Sequence, residues 1–450
     1  MSGLPKGWAT ATVGDLVDRI EAGLNVKCIE RPPEAGERGL VKISAVTTGR
    51  FVEVQSKTLP QAVDPNPRNR IAAGDLLLSR ANTIDLVGAC AVVERIDREL
   101  YLSDKVLRLV ASEPAKRWLN LALKTPDARR AIAEASSGNQ LSMRNLSQDR
   151  LLGLPIPLAP SAEQQRIADK LDAIVARVDA CRDRLDRVGP LLQRFRQSVL
   201  AVAMNGALTA EWREGQSAEP WAEANVGDVA EVGTGSTPLR AKVEYFDAAG
   251  TPWITSSATS QDLVTSADEF VTDAAIRDHR LRVYPPGTLL VAMYGEGKTR
   301  GQVTELGIAA TVNQACAAVQ VNDSMVSKDF VKLALRANYV RMRKMAEGGN
   351  QPNLNLSKVR AVPIPLPPLD EQAEIVRRVA RLMSLADLLE QRLRAGQTAV
   401  DRLPATMLAK AFRGELVPQD PNDEPAAEML ARLAATTPTQ KPGRRRRSAE

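Results

Sequence analysis

Histidine occurs once, at His279, and cysteine four times, at Cys28, Cys90, Cys181 and Cys316, with no Cys-x-x-Cys pair. Zinc clusters and Cys-His catalytic pairs need several such side chains together, so neither is expected. Scattered thiols fit a reducing compartment. Aromatic residues make up 4% of the chain, too few to lay out a stacking platform for single-stranded nucleic acid. No stretch approaches about 18 uninterrupted apolar residues, so no transmembrane helix and no membrane partner is expected. The start, MSGLPKGWATATVGD, lacks the basic and apolar segments of a secretory signal. The sequence therefore reads as cytoplasmic.

What is present is 450 residues with 44% hydrophobic and 25% charged side chains and a mean hydropathy of −0.22. That is a folded chain too long for one ordinary core, so two or three domains are expected. The formal charge is +6, but the final ten residues, KPGRRRRSAE, carry +4 of it and leave +2 for the other 440. A nearly neutral body can hold DNA only through locally placed Lys and Arg or with a partner's help.

The chain is written twice. GWATATVGDL at 7–16 returns as PWAEANVGDV at 220–229, and IAAGDLLLSRANTIDLVGA at 71–89 returns as YPPGTLLVAMYGEGKTRGQ at 284–302, both displaced by 213. GNQLSMRNLS at 138–147 returns as GNQPNLNLS at 349–357. LGLPIPLAPSAEQQRI at 152–167 returns as RAVPIPLPPLDEQAEI at 360–375, and LAVAMNGALT at 200–209 as LAKAFRGELV at 408–417, both displaced by 208. Such self-similarity decides the architecture before any local reading does.

Each copy opens with about 150 residues of short β-type runs and Gly-Pro-Asn loops, followed by a helical stretch at 115–135 or 327–346. The fold class expected is α+β, with two small mixed α/β domains held apart by two long antiparallel helices and related by a pseudo-twofold axis. The Pro-Ile-Pro segments at 155–157 and 363–365 read as stiff joints. A long helix follows each, with Ser161 and Gln164 as a capping box in copy one and Asp370 as the cap in copy two. The segments are then 1–153 and 213–361 for the domains, 154–212 and 362–417 for the spacer helices, and a tail at 418–450 that is largely disordered and basic at its end.

Apolar residues at alternating steps of four and three mark a coiled-coil seam on both helices: Ile167, Leu171, Ile174, Val178 and Leu185 on the first, Ile375, Val379, Leu382, Leu389 and Leu393 on the second. Gly189-Pro190 and Pro404 are expected to break or kink them. The uninterrupted run 161–188 would measure roughly 42 Å, about a dozen base pairs of B-DNA. Two heads on such a spacer would suit a site with two specified halves and an unread gap.

The duplicated GNQ and NLS segment, the P-I-P-L-x-P joint, the E-Q-x-x-I helix opening and the closing L-A-x-A-x-x-G-x-L resemble the specificity subunit of type I restriction-modification enzymes, over positions 4 to 417. The resemblance implies a non-catalytic chain in which each unit is a target recognition domain with a spacer helix. It also implies double-stranded DNA as ligand and two modification subunits, which are DNA adenine methyltransferases using S-adenosylmethionine, as partners. Restriction subunits using ATP and Mg would complete the complex. This chain itself has no Asn-Pro-Pro-aromatic methyltransferase motif, so no cofactor is expected within it.

Two rival classes are a free-standing DNA-binding regulator and an NTPase. The latter rests on AMYGEGKT at 292–299, but a phosphate loop needs a helix directly after it and Arg300 to Thr304 read as β. Glu296 with Lys298 imitates half of a nuclease site, and Gly233-Thr234-Gly235 lacks the third glycine of a dinucleotide loop.

Loops that recur in position but differ in residue are the candidates for reading bases, since two domains reading different half-sites keep the scaffold and vary the tips. They supply Lys42, Ser44, Arg80, Asn82 and Arg144 in copy one and Thr255, Tyr294, Lys298 and Arg300 in copy two. Asn139-Gln140 and Asn350-Gln351 recur unchanged, which suits a turn or a phosphate contact. The charged outer faces of the helices, including Arg166, Arg377 and Arg378, are candidate docking surfaces for the modification subunits.

Overall fold

The structure is a computed structural model describing residues 3–140, 143–214, 220–295, 297–346 and 353–436, with the backbone alone at 139, 140 and 436. It divides into two compact units, Met1–Asp183 with Gln397–Glu450, and Arg184–Gly396. The boundaries fall inside the long helices, so each unit owns part of both. Among the described residues no helix is long and apolar enough to cross a membrane.

The first unit begins with β1 (Ala9–Thr12) and continues through β2 (Arg19–Glu21), β3 (Arg38–Val41), β4 (Ser56–Thr58), β5 (Leu76–Ser79), β6 (Ala81–Asn82), β7 (Cys90–Val92), β8 (Glu99–Tyr101) and β9 (Val106–Val110). Helices α1 (Glu113–Ala122) and α2 (Pro126–Ala135), the hairpin β10 (Ser137–Gln140) and β11 (Met143–Asn145), α3 (Gln148–Leu152), β12 (Pro155–Leu158) and the long α4 (Ser161–Met204) follow. The sheet runs β2-β9-β5-β7. Its central strand β5 is buried on both faces: Leu76 and Leu78 join the core with Trp118 and Ile132, while Leu77 enters a separate cluster with Val41 and Leu100. Period-two alternation thus splits one apolar run between two cores.

The second unit repeats this scheme after the rest of α4. Its elements are α5 (Ala210–Arg213), β13 (Ala222–Asn225), α6 (Val226–Val229), β14 (Ala230–Thr234), β15 (Phe246–Ile254), β16 (Leu263–Val264), β17 (Glu269–Val271), α7 (Asp273–Asp278), β18 (Leu289–Ala292), β19 (Val303–Leu306), β20 (Thr311–Val312) and β21 (Cys316–Val321). Then come α8 (Lys328–Ala337), α9 (Tyr339–Ala346), α10 (Leu356–Arg360), β22 (Pro363–Leu366) and α11 (Leu369–Ala411). Central strand β18 alternates as β5 does, Leu289 and Val291 facing one cluster and Leu290 the other. The α+β class is as expected, but the helical stretches are each two helices: Thr125, which caps α2 by accepting from Ala128 N–H, precedes Pro126, and Asn338 separates α8 from α9.

The Pro-Ile-Pro segments are strands rather than free joints. β12 pairs antiparallel with β1 and β22 with β13, each in a two-stranded ribbon where missing proline N–H groups are tolerated at an edge. The E-Q pair explains itself here. Glu163 Oε2 accepts from Trp8 Nε1 at 3.0 Å and Glu371 Oε2 from Trp221 Nε1 at 2.9 Å. Gln164 Nε2 donates to Ala159 O and Gln372 Nε2 to Pro367 O, both at 2.8 Å. The expected capping box at Ser161 is therefore corrected: Ser161 lies within the helix and Gln164 reaches back to the preceding strand's end. Asp370 likewise lies inside α11, where its Oδ1 accepts from Glu371 N–H.

The prolines do not break the helices. α4 is continuous over 44 residues with Pro190 inside it, and α11 over 43 with Pro404 inside it. Side-by-side packing of the two helices offsets the loss of one backbone hydrogen bond in each. In the second unit the pair runs antiparallel, Arg196 meeting Asp387 and Glu390 while Leu185 approaches Gly396. In the first unit Arg182 Nε meets Asp401 at 2.9 Å. Ile167, Leu171, Val178, Ile375, Val379 and Leu393 are buried, and Ile174, Leu185 and Leu382 are half-buried. Leu389 departs from the seam at 41% exposed, and Cys181, its counterpart in the repeat, is exposed too.

The C-terminal stretch closes the first unit. Phe412 packs on Trp8 and Trp118, and α12 (Ala426–Thr436) adds Ala426, Met429 and Leu430 to the same core. The start of the expected tail is thus ordered, and its basic end lies outside the described residues.

Candidate nucleic-acid interface

In the first unit β5 delivers the chain at Ser79 to a turn that the hairpin flanks. β6 pairs with β11 and β11 with β10, so Asn82 and Arg144 stand opposite each other and the backbone of Asn139 and Gln140 lies on the outer strand. Four sequence candidates therefore share one small sheet. Arg144 donates to the carbonyls of Ser136 at 2.6 Å and Gly138 at 2.9 Å and to Ser136 Oγ at 3.1 Å, which assigns its guanidinium to holding the hairpin. Asn82 Oδ1 accepts from Thr83 N–H at 2.8 Å and starts the turn. Arg80 Nε is buried without an acceptor among the described residues.

Lys42 and Ser44 lie apart from that sheet, on a cavity of about 340 Å³ lined also by Asn25, Lys57, Ser103 and Lys105. Lys42 is ion-paired with Glu30 at 3.4 Å, and Ser44 Oγ donates to Gln55 Oε1 at 2.8 Å. Three lysines on one cavity wall suit a backbone phosphate more than a base edge.

In the second unit the loop between β18 and β19 carries Tyr294, Lys298 and Arg300. Tyr294 is 37% exposed and Lys298 is exposed, whereas Arg300 has Nε and Nη1 buried without an acceptor among the described residues. The loop leads into strand β19, so the GKT segment is not followed by the helix a phosphate loop requires. Thr255 stands elsewhere, after β15, with its hydroxyl 2.7 Å from Ser257 Oγ. Asn350, Gln351 and Glu296 lie outside the described residues.

Sequence reasoning missed the residues that hold the loops. Tyr339 Oη donates to Lys298 O at 2.8 Å and Arg343 Nη1 to Gly297 O at 2.7 Å. Arg129 Nη2 donates to Asp85 O at 2.8 Å in the first unit, with burial pushing its guanidinium below the usual arginine range. No sequence signal marks them, because an arginine on an amphipathic helix reads as solvated. The helix faces are also partly committed: Arg166 pairs with Asp423, and Arg377 and Arg378 both pair with Glu374, whose carboxyl they hold down at about 2.

Two like frames with unlike exposed loops define a duplicated recognition module. Residues 218–395 match the type I restriction modification DNA specificity domain. The chain is 24% identical over 444 residues to the StySPI specificity subunit of Salmonella potsdam, covering 92% of this chain and 90% of that one. It is 29% identical over 310 residues to the EcoKI specificity subunit of Escherichia coli K12, covering 65% and 63%. Among solved structures, the HsdS subunit from Thermoanaerobacter tengcongensis superposes with a TM-score of 0.59 at 20% identity, over 92% of this chain and 98% of that one. A chain from a study of complex assembly and conformational transition of the type I R-M system superposes at 0.63 and 20% identity, over 92% and 100%. The chain is thus similar over most of its length to type I restriction enzyme specificity subunits, with their DNA specificity domain matched at residues 218–395.

Proposed function

We propose that this chain is the DNA-reading subunit of a type I restriction-modification complex, each domain recognising one half of a bipartite, asymmetric site. The observation that carries the reading is the repeat itself: the Trp–Glu and Gln–carbonyl latches are the same in both units, while the loops at 80–87 and 293–300 differ. Identical frames with different tips suit two half-sites of different sequence. Catalysis then lies with partners: two modification subunits that methylate adenine with S-adenosylmethionine, and restriction subunits that use ATP and Mg. The complex works in the cytoplasm, where the chromosome is. A near-neutral body fits a chain that holds DNA firmly only once those partners have joined.

The test is genome-wide mapping of modified adenine in the host with and without this gene. A two-part asymmetric motif that disappears on deletion is the expected result. Unchanged methylation, in a host shown to express the modification subunits, would contradict the reading.

A further inference from the structure

Gly88 and Gly301 occupy the same place in the two units, 213 residues apart, and each closes a loop. Gly88 N–H donates to Ser79 O at 2.7 Å and Gly301 N–H to Ala292 O at 2.8 Å, and the two acceptors are also 213 apart. Both glycines have left-handed backbones, with φ of 72° and 84°. Both also lie against the second helix after the loop: a Cβ on Gly88 would come within 2.7 Å of Ile132 on α2, and one on Gly301 within 3.4 Å of Tyr339 on α9. The base of each loop is therefore fixed in the same way.

Between these fixed ends, RANTIDLV at 80–87 and MYGEGKTR at 293–300 differ at every position. The outer part of each loop is nevertheless held by the same device. α2 and α9 bury residues four apart, Ala128 with Ile132 and Met342 with Ala346. The arginine after the first of each pair, Arg129 or Arg343, donates to a loop carbonyl, at Asp85 or Gly297. Because the acceptors are main-chain carbonyls, the clamp is indifferent to loop sequence. It can therefore serve any set of loop side chains while keeping the backbone in one place. Arg80 Nε, Arg129 Nη1 and Arg300 Nε and Nη1 are also buried without an acceptor among the described residues.

We propose that Arg129 and Arg343 are positioning residues that set the accuracy with which loops 80–87 and 293–300 read DNA; this rests on the function proposed above. Discrimination by hydrogen bonds to base edges depends on rigid placement, so releasing a clamp relaxes one half-site and leaves the other intact.

The test uses the complex assembled with its modification subunits, measuring methyl transfer to duplexes carrying the mapped target and to duplexes changed at one base pair in either half. Arg343→Ala is expected to reduce discrimination roughly tenfold in the half read by the second domain and not in the other, and Arg129→Ala to do the reverse. Arg343→Lys, which still offers a donor to the carbonyl, should recover most of the loss. Tyr339→Phe removes the hydroxyl that donates to Lys298 O and accepts from Arg343 Nη1, and should give a smaller loss in the same half, which decides the matter if Arg343→Ala fails to fold. Unchanged discrimination in both halves, or an equal loss in both, overturns the clamp while the motif read by the wild type stands. A wild-type complex with no sequence preference would instead overturn the proposed function and the clamp with it.

Discussion

The indole of Trp8 donates to the carboxylate of Glu163 across 155 residues of sequence, and Glu163 is buried. This bond joins the first strand of the chain to the opening turn of α4, and Trp221 with Glu371 makes the same join in the second unit. Trp8→Phe keeps an aromatic ring but removes the indole N–H and leaves a buried carboxylate oxygen without its donor, so a loss of at least about 1–3 kcal/mol is expected in chemical denaturation.

The same site gives a pH dependence. Burial raises the Glu163 carboxyl above its ordinary value, with the bond from Trp8 and the charge of Arg166 opposing it. The ionised form is thus less favoured in the folded chain than in the unfolded one, and stability falls as pH rises from the unfolded value through the folded one. Glu163→Gln removes that dependence, so its stability relative to wild type should improve as pH rises above the ordinary carboxyl value of 4.5. A difference that stays constant over that range would contradict the burial account.

Arg108 is the centre of an ion network that copy two replaces. It donates to Glu21 and to Asp75 at 2.8 Å, on a sheet where all three side chains are largely buried. By strand register the counterpart of Arg108 is Ala318 and that of Glu21 is Gly233, and the ring of Tyr284 covers the gap: a Cβ on Gly233 would lie 2.5 Å from its hydroxyl. Arg108→Ala strands two carboxylates and should cost about 3–5 kcal/mol. Adding Glu21→Gln and Asp75→Asn should recover part of that loss in thermal melts, whereas strictly additive losses would contradict the pairing.

Pro190 and Pro404 sit inside continuous helices, each lacking the amide N–H that a helical residue normally donates. Replacing either with alanine should raise stability by about 1–3 kcal/mol. Circular dichroism with thermal unfolding would show it, and a destabilised variant would mean that the proline geometry is required by the packing.

The duplication, the long helices and most of the seam were legible because each rests on spacing, and spacing survives without coordinates. The failures have physical causes. Two prolines read as breaks because a single helix has no neighbour to offset a lost hydrogen bond, and the Pro-Ile-Pro segment read as a joint because its partner strand lies about 145 residues away, at Ala9–Thr12. Asn82 and Arg144 stand 62 residues apart in sequence, and only pairing between distant strands brings them together. Arg129 and Arg343 had no signal at all, since their acceptors are backbone carbonyls, which every sequence supplies.

If each domain reads one half of the site, the two halves can be lost separately. Modified adenine would be mapped genome-wide for two variants in parallel, Arg80→Ala with Asn82→Ala in the first loop and Lys298→Ala with Arg300→Ala in the second. Each variant is expected to lose sequence definition in a different half of the motif while the other half keeps its bases. Loss of the same half by both variants, or an even loss across both halves, would contradict that division.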